Sequence, residues 1–429
     1  MKLVNNRYEI DGIAVTDLCE KYDTPLYVYE TAKMEKQFKR LKKAFQSVNI
    51  TINYAAKALT NINILKFFAK LGSGLDAVSV QEVELALMAG FKKESIIYTP
   101  NCVSMAEIDR VVSLGVKINI DNISILEQFG HKYGNKIPVC IRINPHILAG
   151  GNTKISTGHI DSKFGISIYQ LSHVERVIEA NNMKVEGLHM HTGSDILDVE
   201  VFLRAAEILL ETAMKFPDLA YLDLGSGFKV AYKPDDIYTD IEVLGKMLSE
   251  RFNRFCGDYG RPLRLIFEPG KFLVSEAGYF LARVNVVKQT PSTLFAGLDT
   301  GLNHLIRPMF YDAYHQIINI SKPKTDNPRV YTVVGYICET DTFGWNRKIQ
   351  EISEGDYVAF LNAGAYCFTM ASNYNSRLKP AEVLIHKGKD YLITQRETIE
   401  DIMRNQINYD FSADNKMLTT PDDKHTDAK

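Results

Sequence analysis

Four short motifs, each at the end of an apolar, strand-like run, contain the residues of this chain that could do chemistry. They are Tyr54-Ala-Ala-Lys57, His189-Met-His-Thr-Gly-Ser194, Leu224-Gly-Ser-Gly-Phe228 and Phe267-Glu-Pro-Gly-Lys271. Together they supply an amine, a flat imidazole, a glycine-rich turn and a carboxylate. Pyridoxal phosphate needs these groups, because a lysine forms its Schiff base, backbone N–H groups hold its phosphate and an acid keeps its ring nitrogen protonated. The motifs therefore predict a pyridoxal phosphate site.

Lys57 ends the first motif and is flanked by Ala55, Ala56 and Ala58. Burial at an apolar strand end disfavours the ammonium and lowers the pKa of a lysine by up to about 3 to 5 units. We therefore expect an amine that attacks an aldehyde, beside small side chains that leave room for a flat ring. A lysine that extends from a strand end into solvent is the commoner case for such a residue alone. The other three motifs favour the catalytic role.

His189 and His191 are two residues apart, so on a strand they point to the same face and could bind zinc. A metal-dependent barrel hydrolase is therefore a second class of function. Such sites usually need further histidine or aspartate ligands, and no later histidine follows a predicted barrel strand. We therefore predict no metal, with His191 stacked on the cofactor ring, Ser194 at the phosphate and His189 as a satisfied structural histidine.

The third and fourth motifs offer an anion site and a buried acid. Gly225, Ser226 and Gly227 directly follow a strand, and barrel phosphate sites commonly use the loops after strands seven and eight. A tight turn without a ligand is the alternative. Glu268 ends an apolar run and precedes a Pro-Gly pair. A buried carboxylate is costly unless it is paired, and a protonated ring nitrogen would pair with it.

The composition limits the partners of the chain. Its 429 residues carry 50 Lys and Arg against 52 Asp and Glu. The resulting net charge of −2 offers no basic surface, so we expect no nucleic acid and no membrane, but a small-molecule partner. The N-terminus lacks the apolar core of a signal peptide, and no apolar run approaches the roughly 18 residues of a membrane span. Six scattered cysteines without a Cys-x-x-Cys pair predict a reduced, cytoplasmic protein.

Short β-branched runs alternate with longer stretches of helical periodicity from about residue 50 onward. Eight runs are predicted strands: Thr51–Ala56, Leu75–Ser79, Ser95–Pro100, Val116–Asp121, Pro138–Asn144, Val185–His191, Ala220–Leu224 and Leu263–Glu268. Helical patterns lie at Asn61–Leu71, Val80–Ala89, Ala106–Leu114, Ile123–Tyr133, Ile168–Asn181, Val201–Lys215 and Ile241–Phe255. This alternation predicts an α/β fold, a (β/α)8 TIM-like barrel, whose reactive residues lie at the carboxyl ends of the strands. All four motifs fall at such ends.

Beyond about residue 280 the pattern changes to strands without long helices between them. The predicted strands are Ala282–Lys288, Arg329–Val334, Tyr357–Leu361 and Glu382–His386, and Arg7–Ile10 and Leu26–Tyr29 would join them. This pattern predicts a mostly β second domain, either a sandwich or a Greek-key barrel. The predicted organisation is a cofactor-binding barrel at 31–280, a β domain of 1–30 plus 281–411 that completes the active site, and a flexible tail at 412–429.

From Tyr22-Asp-Thr-Pro-Leu-Tyr-Val-Tyr29 to Pro380-Ala-Glu-Val383, the chain resembles the fold-type III pyridoxal-phosphate decarboxylases, and among them the diaminopimelate type. Its Glu268-Pro-Gly-Lys271 segment is similar to the family's Glu-Pro-Gly-Arg. The resemblance implies these cofactor contacts: Lys57 as the Schiff-base residue, His191 on the ring, Ser194, Gly225, Ser226 and Gly227 at the phosphate, Glu268 at the ring nitrogen, and Gly270, Lys271 and Tyr366 beside them.

The same resemblance implies how a substrate is held. Leu305-Ile-Arg-Pro-Met-Phe-Tyr311 resembles the segment whose Arg and Tyr bind a distal carboxylate. Cys338-Glu339 resembles a pair that enters from the partner chain, where Cys protonates the carbanion and Glu binds the distal ammonium, so a homodimer with shared active sites is implied. The implied reaction is decarboxylation of meso-2,6-diaminopimelate to L-lysine and CO2, the last step of lysine biosynthesis. Its catalytic residues would be Lys57 and Cys338, and its substrate contacts Lys271, Arg307, Tyr311, Glu339 and Tyr366.

The charges agree with a substrate that carries an amino acid group at its far end, because Arg307 and Glu339 would neutralise a carboxylate and an ammonium. A cation at that place would repel ornithine or stay unpaired. Without this context, a surface salt bridge and a structural thiol are the ordinary interpretations of Arg307 and Cys338. Two departures from the family pattern leave carboxynorspermidine or another basic amino acid open as substrate. Lys271 replaces a planar arginine fork with a point charge, and Ser226 replaces a glycine and restricts the backbone.

Two further classes of function remain open on the same fold. A racemase would release no CO2 and would need a second base at the position of Cys338. A protein that binds the cofactor without turnover is disfavoured, because the chain retains both Lys57 and Cys338.

Overall fold

The computed structural model describes residues 1–147, 157–158, 161–324 and 327–411. The predicted tail at 412–429 lies outside these residues. No helix in the described part of the chain is long and apolar enough to cross a membrane.

The N-terminal stretch forms a small antiparallel sheet and then one strand of a larger sheet. The small sheet consists of β1 (Lys2–Val4), β2 (Arg7–Ile10) and β3 (Ile13–Ala14). It is followed by α1 (Val15–Tyr22) and β4 (Leu26–Glu30). The predicted strand at Arg7–Ile10 is therefore confirmed, but it pairs within this separate sheet and not with the strands of the second domain.

Eight parallel strands form a closed barrel, as predicted. They are β5 (Ile50–Ala55), β6 (Gly74–Ala77), β7 (Ile96–Tyr98), β8 (Lys117–Ile120), β9 (Val139–Asn144), β11 (Val185–His189), β12 (Tyr221–Asp223) and β13 (Arg264–Phe267), with β10 (Ile166–Ser167) as a short addition beside β9. Closure occurs because β13 pairs with β5 in parallel register. All eight predicted strands are confirmed, and so is the TIM-like barrel.

Helices follow the barrel strands and cover the outside of the barrel. They are α2 (Thr31–Ala44), α3 (Ile62–Lys70), α4 (Val80–Met88), α5 (Met105–Leu114), α6 (Ile123–Tyr133), α7 (Leu171–Ala180), α8 (Val199–Ala213), α9 (Ile241–Tyr259) and α10 (Lys271–Val274). Side-chain caps fix where several of them begin. Ser79, Ser104 and Asn122 each accept a hydrogen bond from the backbone N–H three residues later, at the starts of α4, α5 and α6.

The described residues after the barrel build a mostly β domain. Its strands are β14 (Gly278–Gln289), β15 (Leu294–Leu298), β16 (Ile317–Asn319), β17 (Pro328–Val334), β18 (Thr342–Gln350), β19 (Tyr357–Phe360), β20 (Ala381–His386) and β21 (Lys389–Thr394), with short helices α11 (Arg307–Tyr311) and α12 (Ile399–Met403). Single 3-10 turns lie at Ala56–Ala58, Lys93–Ser95, Ile168–Gln170, Phe368–Met370 and Tyr374–Ser376. The N-terminal β4 pairs with both β14 and β20, so residues before and after the barrel share one sheet.

A close backbone contact brings the β domain to the mouth of the barrel. A Cβ on Gly364 would lie 1.8 Å from the carbonyl oxygen of Val274, at the end of α10, so only glycine fits there. Two residues later, the Tyr366 N–H donates to the carbonyl of Ala58 at 2.8 Å. The segment therefore delivers Tyr366 beside the turn that carries Lys57.

Candidate active site

The carboxyl ends of the barrel strands surround a cavity of about 420 Å³. Residues from all four motifs and from the β domain line it together, although hundreds of residues separate them along the chain. The predicted site residues at this cavity are Lys57, His191, Ser194, Ser226, Gly227, Glu268, Gly270, Lys271 and Tyr366. Lys57 and His191 therefore lie at the same cavity, as the cofactor interpretation requires.

Lys57 projects into the cavity and is held by an acid that the sequence did not reveal. Its Nζ lies 3.0 Å from Oδ2 of Asp76, whose side chain is completely buried, while that of Lys57 is 41% exposed. Burial works against the ammonium, as expected, but the attraction of Asp76, with Tyr366 and Glu268 next, outweighs it and raises the pKa of Lys57. The predicted lowering of this pKa is wrong, because a carboxylate on the next strand stabilises the charge.

The glycine turn lies directly against His191. Gly225 and Gly227 have φ values of +62° and +115°, and a Cβ on Gly225 would be 2.6 Å from Nδ1 of His191. Ser226 is the one residue of the three with an ordinary φ, so a serine does not strain the turn. Its backbone N–H donates to Nδ1 of His191 at 3.3 Å. Burial, with Arg142 next, lowers the pKa of His191 well below its usual value, so the ring is neutral.

Glu268 lines the same cavity and forms a hydrogen bond with a neighbouring histidine. Its Oε2 accepts a hydrogen bond from Nε2 of His189 at 3.0 Å, while Oε1 is buried without a partner among the described residues. Burial raises the pKa of Glu268. We predicted that the ring nitrogens of His189 have hydrogen-bond partners. This is confirmed for Nε2 and wrong for Nδ1, which is buried without a partner in the described chain.

The two histidines of the zinc hypothesis do not form a pair. Among the described residues, one group of metal-capable side chains lies within 4.8 Å of one another, and it contains His189, Asp223 and Glu268 but not His191. His191 instead contacts the glycine turn.

A second cavity of about 740 Å³ adjoins the first and shares Lys57, His191, Ser194, Lys271 and Tyr366 with it. Arg307, at the start of α11, lines this outer cavity and is 7% exposed. Its guanidinium lies 5.5 Å from the ring of Tyr232 and 5.8 Å from that of Tyr311. In the part of the chain that the structure describes, Arg307 forms no ion pair within 4.0 Å, and its Nε is buried without a partner. The outer cavity therefore contains a buried, uncompensated cation.

Lys271 is nearly buried and already neutralised. Its Nζ lies 2.8 Å and 2.9 Å from the two carboxylate oxygens of Asp195, which also lines both cavities. Because Lys271 has its own counter-ion, the buried cation that stays available to an anion in the outer cavity is Arg307.

Cys338 and Glu339 line neither cavity. Both are exposed, and they contact a neighbouring loop of the same domain. Asn375 donates to Sγ of Cys338 at 3.2 Å, and the Tyr374 hydroxyl donates to Glu339. Within one chain, these two predicted residues are not brought to Lys57.

Sequence reasoning missed four charged residues around the cavities: Asp76, Arg142, Asp195 and Asp223. Asp76, Arg142 and Asp223 are buried within barrel strands. A charged residue inside an apolar run of a parallel sheet is rare, because both faces of the strand are covered. That signal was present in the sequence for these three residues. Asp195 gave no such signal, since it lies in a loop.

Comparisons with known proteins agree on one family. The model of the family described as "Pyridoxal-dependent decarboxylase, pyridoxal binding domain" matches residues 31–275. The diaminopimelate decarboxylase of Methanothermobacter thermautotrophicus is 36% identical over 407 residues, which cover 92% of this chain and 95% of that protein. The enzyme of the same name from Haemophilus influenzae is 34% identical, with 93% and 97% covered.

Solved structures are similar over nearly the whole chain. The diaminopimelate decarboxylase of M. jannaschii in complex with L-lysine superposes with a TM-score of 0.88 at 31% identity and covers 95% of this chain and 98% of its own. The Helicobacter pylori enzyme complexed with L-lysine has a TM-score of 0.83 at 31% identity, with 91% and 98% covered.

Proposed function

Because the chain belongs to the pyridoxal-dependent decarboxylases and, among them, to the diaminopimelate decarboxylase family, we propose that it converts meso-2,6-diaminopimelate to L-lysine and CO2 with pyridoxal phosphate as cofactor. One observation carries the choice of substrate. Arg307 is a buried cation without a carboxylate partner in the described chain, in a cavity that it shares with Lys57. A substrate with a carboxylate at its far end satisfies it.

The residues at the inner cavity fit pyridoxal phosphate. Glu268 has a buried Oε1 without a partner in the described chain, which suits a protonated ring nitrogen. The turn at Gly225 leaves no space for a Cβ, so its backbone can lie directly against an anion and the ring of His191. Ser194, Ser226, Gly227, Gly270 and Lys271 would surround the phosphate. When bound, the cofactor supplies an electron-poor ring that accepts the electron pair left by the departing carboxylate.

Lys57 must lose a proton before its amine can react. Oδ2 of Asp76 lies 3.0 Å from Nζ and is the group in place to take that proton. Burial, with Glu268 next, raises the pKa of Asp76, so this carboxylate accepts a proton more readily than a carboxylate in water. Asp76 thus holds Lys57 as an ammonium and can also accept its proton.

The outer cavity determines which amino acids are accepted. Arg307 would bind the distal carboxylate between the rings of Tyr232 and Tyr311. Ornithine ends in an amine, so a buried guanidinium would disfavour it. Tyr366 lines both cavities and would contact cofactor and substrate.

Cys338 and Glu339 would act in the site of a second copy of the chain. Their exposure supports this arrangement, because within one chain neither of them lines a cavity that Lys57 lines. In a homodimer with shared sites, the Cys338 thiol would return a proton to the reacting carbon and Glu339 would bind the distal ammonium. We also propose a cytoplasmic location, which the six free thiols support.

The test is an assay of CO2 and lysine release from meso-diaminopimelate, with carboxynorspermidine, ornithine and arginine as competing candidates. Wild type should release both products from diaminopimelate, and Lys57→Ala should release neither. Lys66→Ala removes an exposed lysine of α3 and is the matched control, with wild-type activity expected. A Lys57→Ala variant with undiminished activity, or a wild type that prefers another substrate, would contradict the proposal.

A further inference from the structure

Two buried titratable residues, His189 and Asp223, surround Glu268 and have no role in the function proposed above. We propose that they are positioning residues for Glu268: His189 donates a hydrogen bond to it, and Asp223 stands behind it as a protonated, uncharged acid. Glu268 is thereby held as a carboxylate, with one oxygen free for the ring nitrogen of pyridoxal phosphate. This inference rests on the proposed function for the identity of the cofactor.

Strand register places the three side chains at one level of the barrel. His189 is the last residue of β11 and Asp223 the last of β12, and the two are paired directly. Asp223 is paired in turn with Ile266 on β13, and Glu268 follows two residues later, on the same face. Donor and acceptor atoms of all three side chains lie within 4.8 Å of one another. Three neighbouring strands thus build the cluster.

The hydrogen bonds show which atoms are already used. His189 Nε2 is 3.0 Å from Oε2 of Glu268, and Oδ1 of Asp223 accepts the Gly225 N–H at 2.8 Å. Oδ2 of Asp223 and Oε1 of Glu268 are buried without another partner among the described residues, and the proton of an uncharged Asp223 would donate a hydrogen bond to the Glu268 carboxylate. His189 and Glu268 line the inner cavity, whereas Asp223 does not. Glu268 therefore faces the ligand, and Asp223 is enclosed behind it.

Two buried carboxylates this close cannot both be charged without a large cost, so one of them holds a proton. Burial, with Glu268 next, raises the pKa of Asp223 well above its usual value. Burial also raises the pKa of Glu268, but Lys57, a hydrogen bond from Asp223 and then Arg142 oppose it. Asp76 is the other acid facing the cluster, and it disfavours charge on Asp223. The proton therefore resides on Asp223.

His189 must be neutral to act as proposed. Burial, with Arg142 next, lowers the pKa of His189 well below its usual value. A neutral imidazole has one N–H, and Nε2 is the nitrogen within hydrogen-bond distance of Glu268. This donor fixes the rotation of the Glu268 carboxylate, whose side chain lines the inner cavity.

The experiment compares two ligands that differ at one atom. Dissociation constants of the cofactor-free protein are measured for pyridoxal 5′-phosphate and for its 1-deaza analogue, in which CH replaces the ring nitrogen. Both ligands use the same lysine and phosphate contacts, so the ratio of the two constants isolates the contact of Glu268 with the ring nitrogen. General structural damage lowers both affinities equally and leaves the ratio unchanged.

Wild type should prefer pyridoxal phosphate over the analogue. His189→Leu, which has no donor, should lower this preference about tenfold or more. His189→Gln, whose amide can donate, and Asp223→Asn, which mimics the protonated acid, should stay within about threefold of wild type. His304→Gln is the matched control, since it replaces a buried histidine that lines neither cavity. If His189→Leu does not fold, His189→Met serves as the second variant without a donor.

An unchanged ratio in both donor-free variants would overturn the role of His189. Loss of the preference in Asp223→Asn would overturn the protonated state of Asp223. A wild type that does not distinguish the two ligands would refute the cluster altogether. A wild type that distinguishes them but releases no lysine from diaminopimelate would refute the proposed substrate while supporting the cluster.

Discussion

Replacing Arg307 by methionine should weaken substrate binding strongly without unfolding the protein. Arg307 is 7% exposed, its guanidinium lies near the rings of Tyr232 and Tyr311, and it forms no ion pair in the described chain. Removing one partner of a buried, hydrogen-bonded charge pair costs about 2 to 5 kcal/mol. The KM for meso-diaminopimelate should therefore rise roughly 30-fold to several thousand-fold. Arg307→Lys keeps the charge but loses the planar fork, so its loss should be smaller.

The stability of the substrate-free protein should change little in Arg307→Met. The substrate-free protein carries the desolvation cost of a buried cation whose Nε has no partner among the described residues. Methionine fills similar volume and removes this cost, against a loss of about 1 to 2 kcal/mol of cation–π attraction. The free energy of unfolding should therefore stay within about 2 kcal/mol of the wild-type value.

Steady-state kinetics and urea denaturation of the substrate-free protein measure the two effects separately. The decisive comparison is between Arg307→Met and Arg307→Lys at the same pH. A methionine variant that unfolds several kcal/mol more easily, with KM unchanged, would show that Arg307 stabilises the fold and does not bind a carboxylate.

Three further perturbations test other parts of the structure. Gly225→Ala places a Cβ against the imidazole of His191 at a positive φ, so the affinity for pyridoxal phosphate, measured by ligand titration, should fall about tenfold or more. Gly257→Ala is the control, because its Cβ would lie in open space on a helix. This variant should raise the free energy of unfolding by up to about 1 kcal/mol in thermal unfolding. Burial lowers the pKa of His304 to about 4, so the unfolded chain binds more protons between pH 4 and 6.5 and the free energy of unfolding should fall as pH falls through this range. His304 contributes about 3 kcal/mol of this loss, so between pH 7 and pH 4.5 His304→Gln should lose about that much less stability than wild type in urea titrations. Mixing the inactive Lys57→Ala and Cys338→Ala proteins should restore about a quarter of wild-type activity if the active sites are shared between subunits. The reason is that half of the dimers contain one subunit of each kind, and each such dimer has one intact site. No recovery of activity after verified subunit exchange would refute shared sites.

Local patterns in the sequence were sufficient for the architecture. A strand buried on both faces reads as a short apolar run, and a covering helix has an apolar stripe, so both are visible without knowledge of their neighbours. The run at Leu263–Glu268 and the helix at Ile123–Tyr133 illustrate this, since the structure places β13 and α6 there. The strand at Arg7–Ile10 was predicted but the small sheet in which it pairs was not, because a strand's own residues do not specify its partner.

The sequence by itself determined which groups are available and that they lie at strand ends, because chemical type and periodicity are properties of single residues and their near neighbours. Only the tertiary structure decided their charges and contacts. Asp76 raises the pKa of Lys57 from the adjacent strand, Asp195 neutralises Lys271 from a loop, and the burial of Arg307 leaves it available to a substrate. Electrostatic effects depend on distances and burial between residues far apart in the chain, and these distances exist only after the barrel closes.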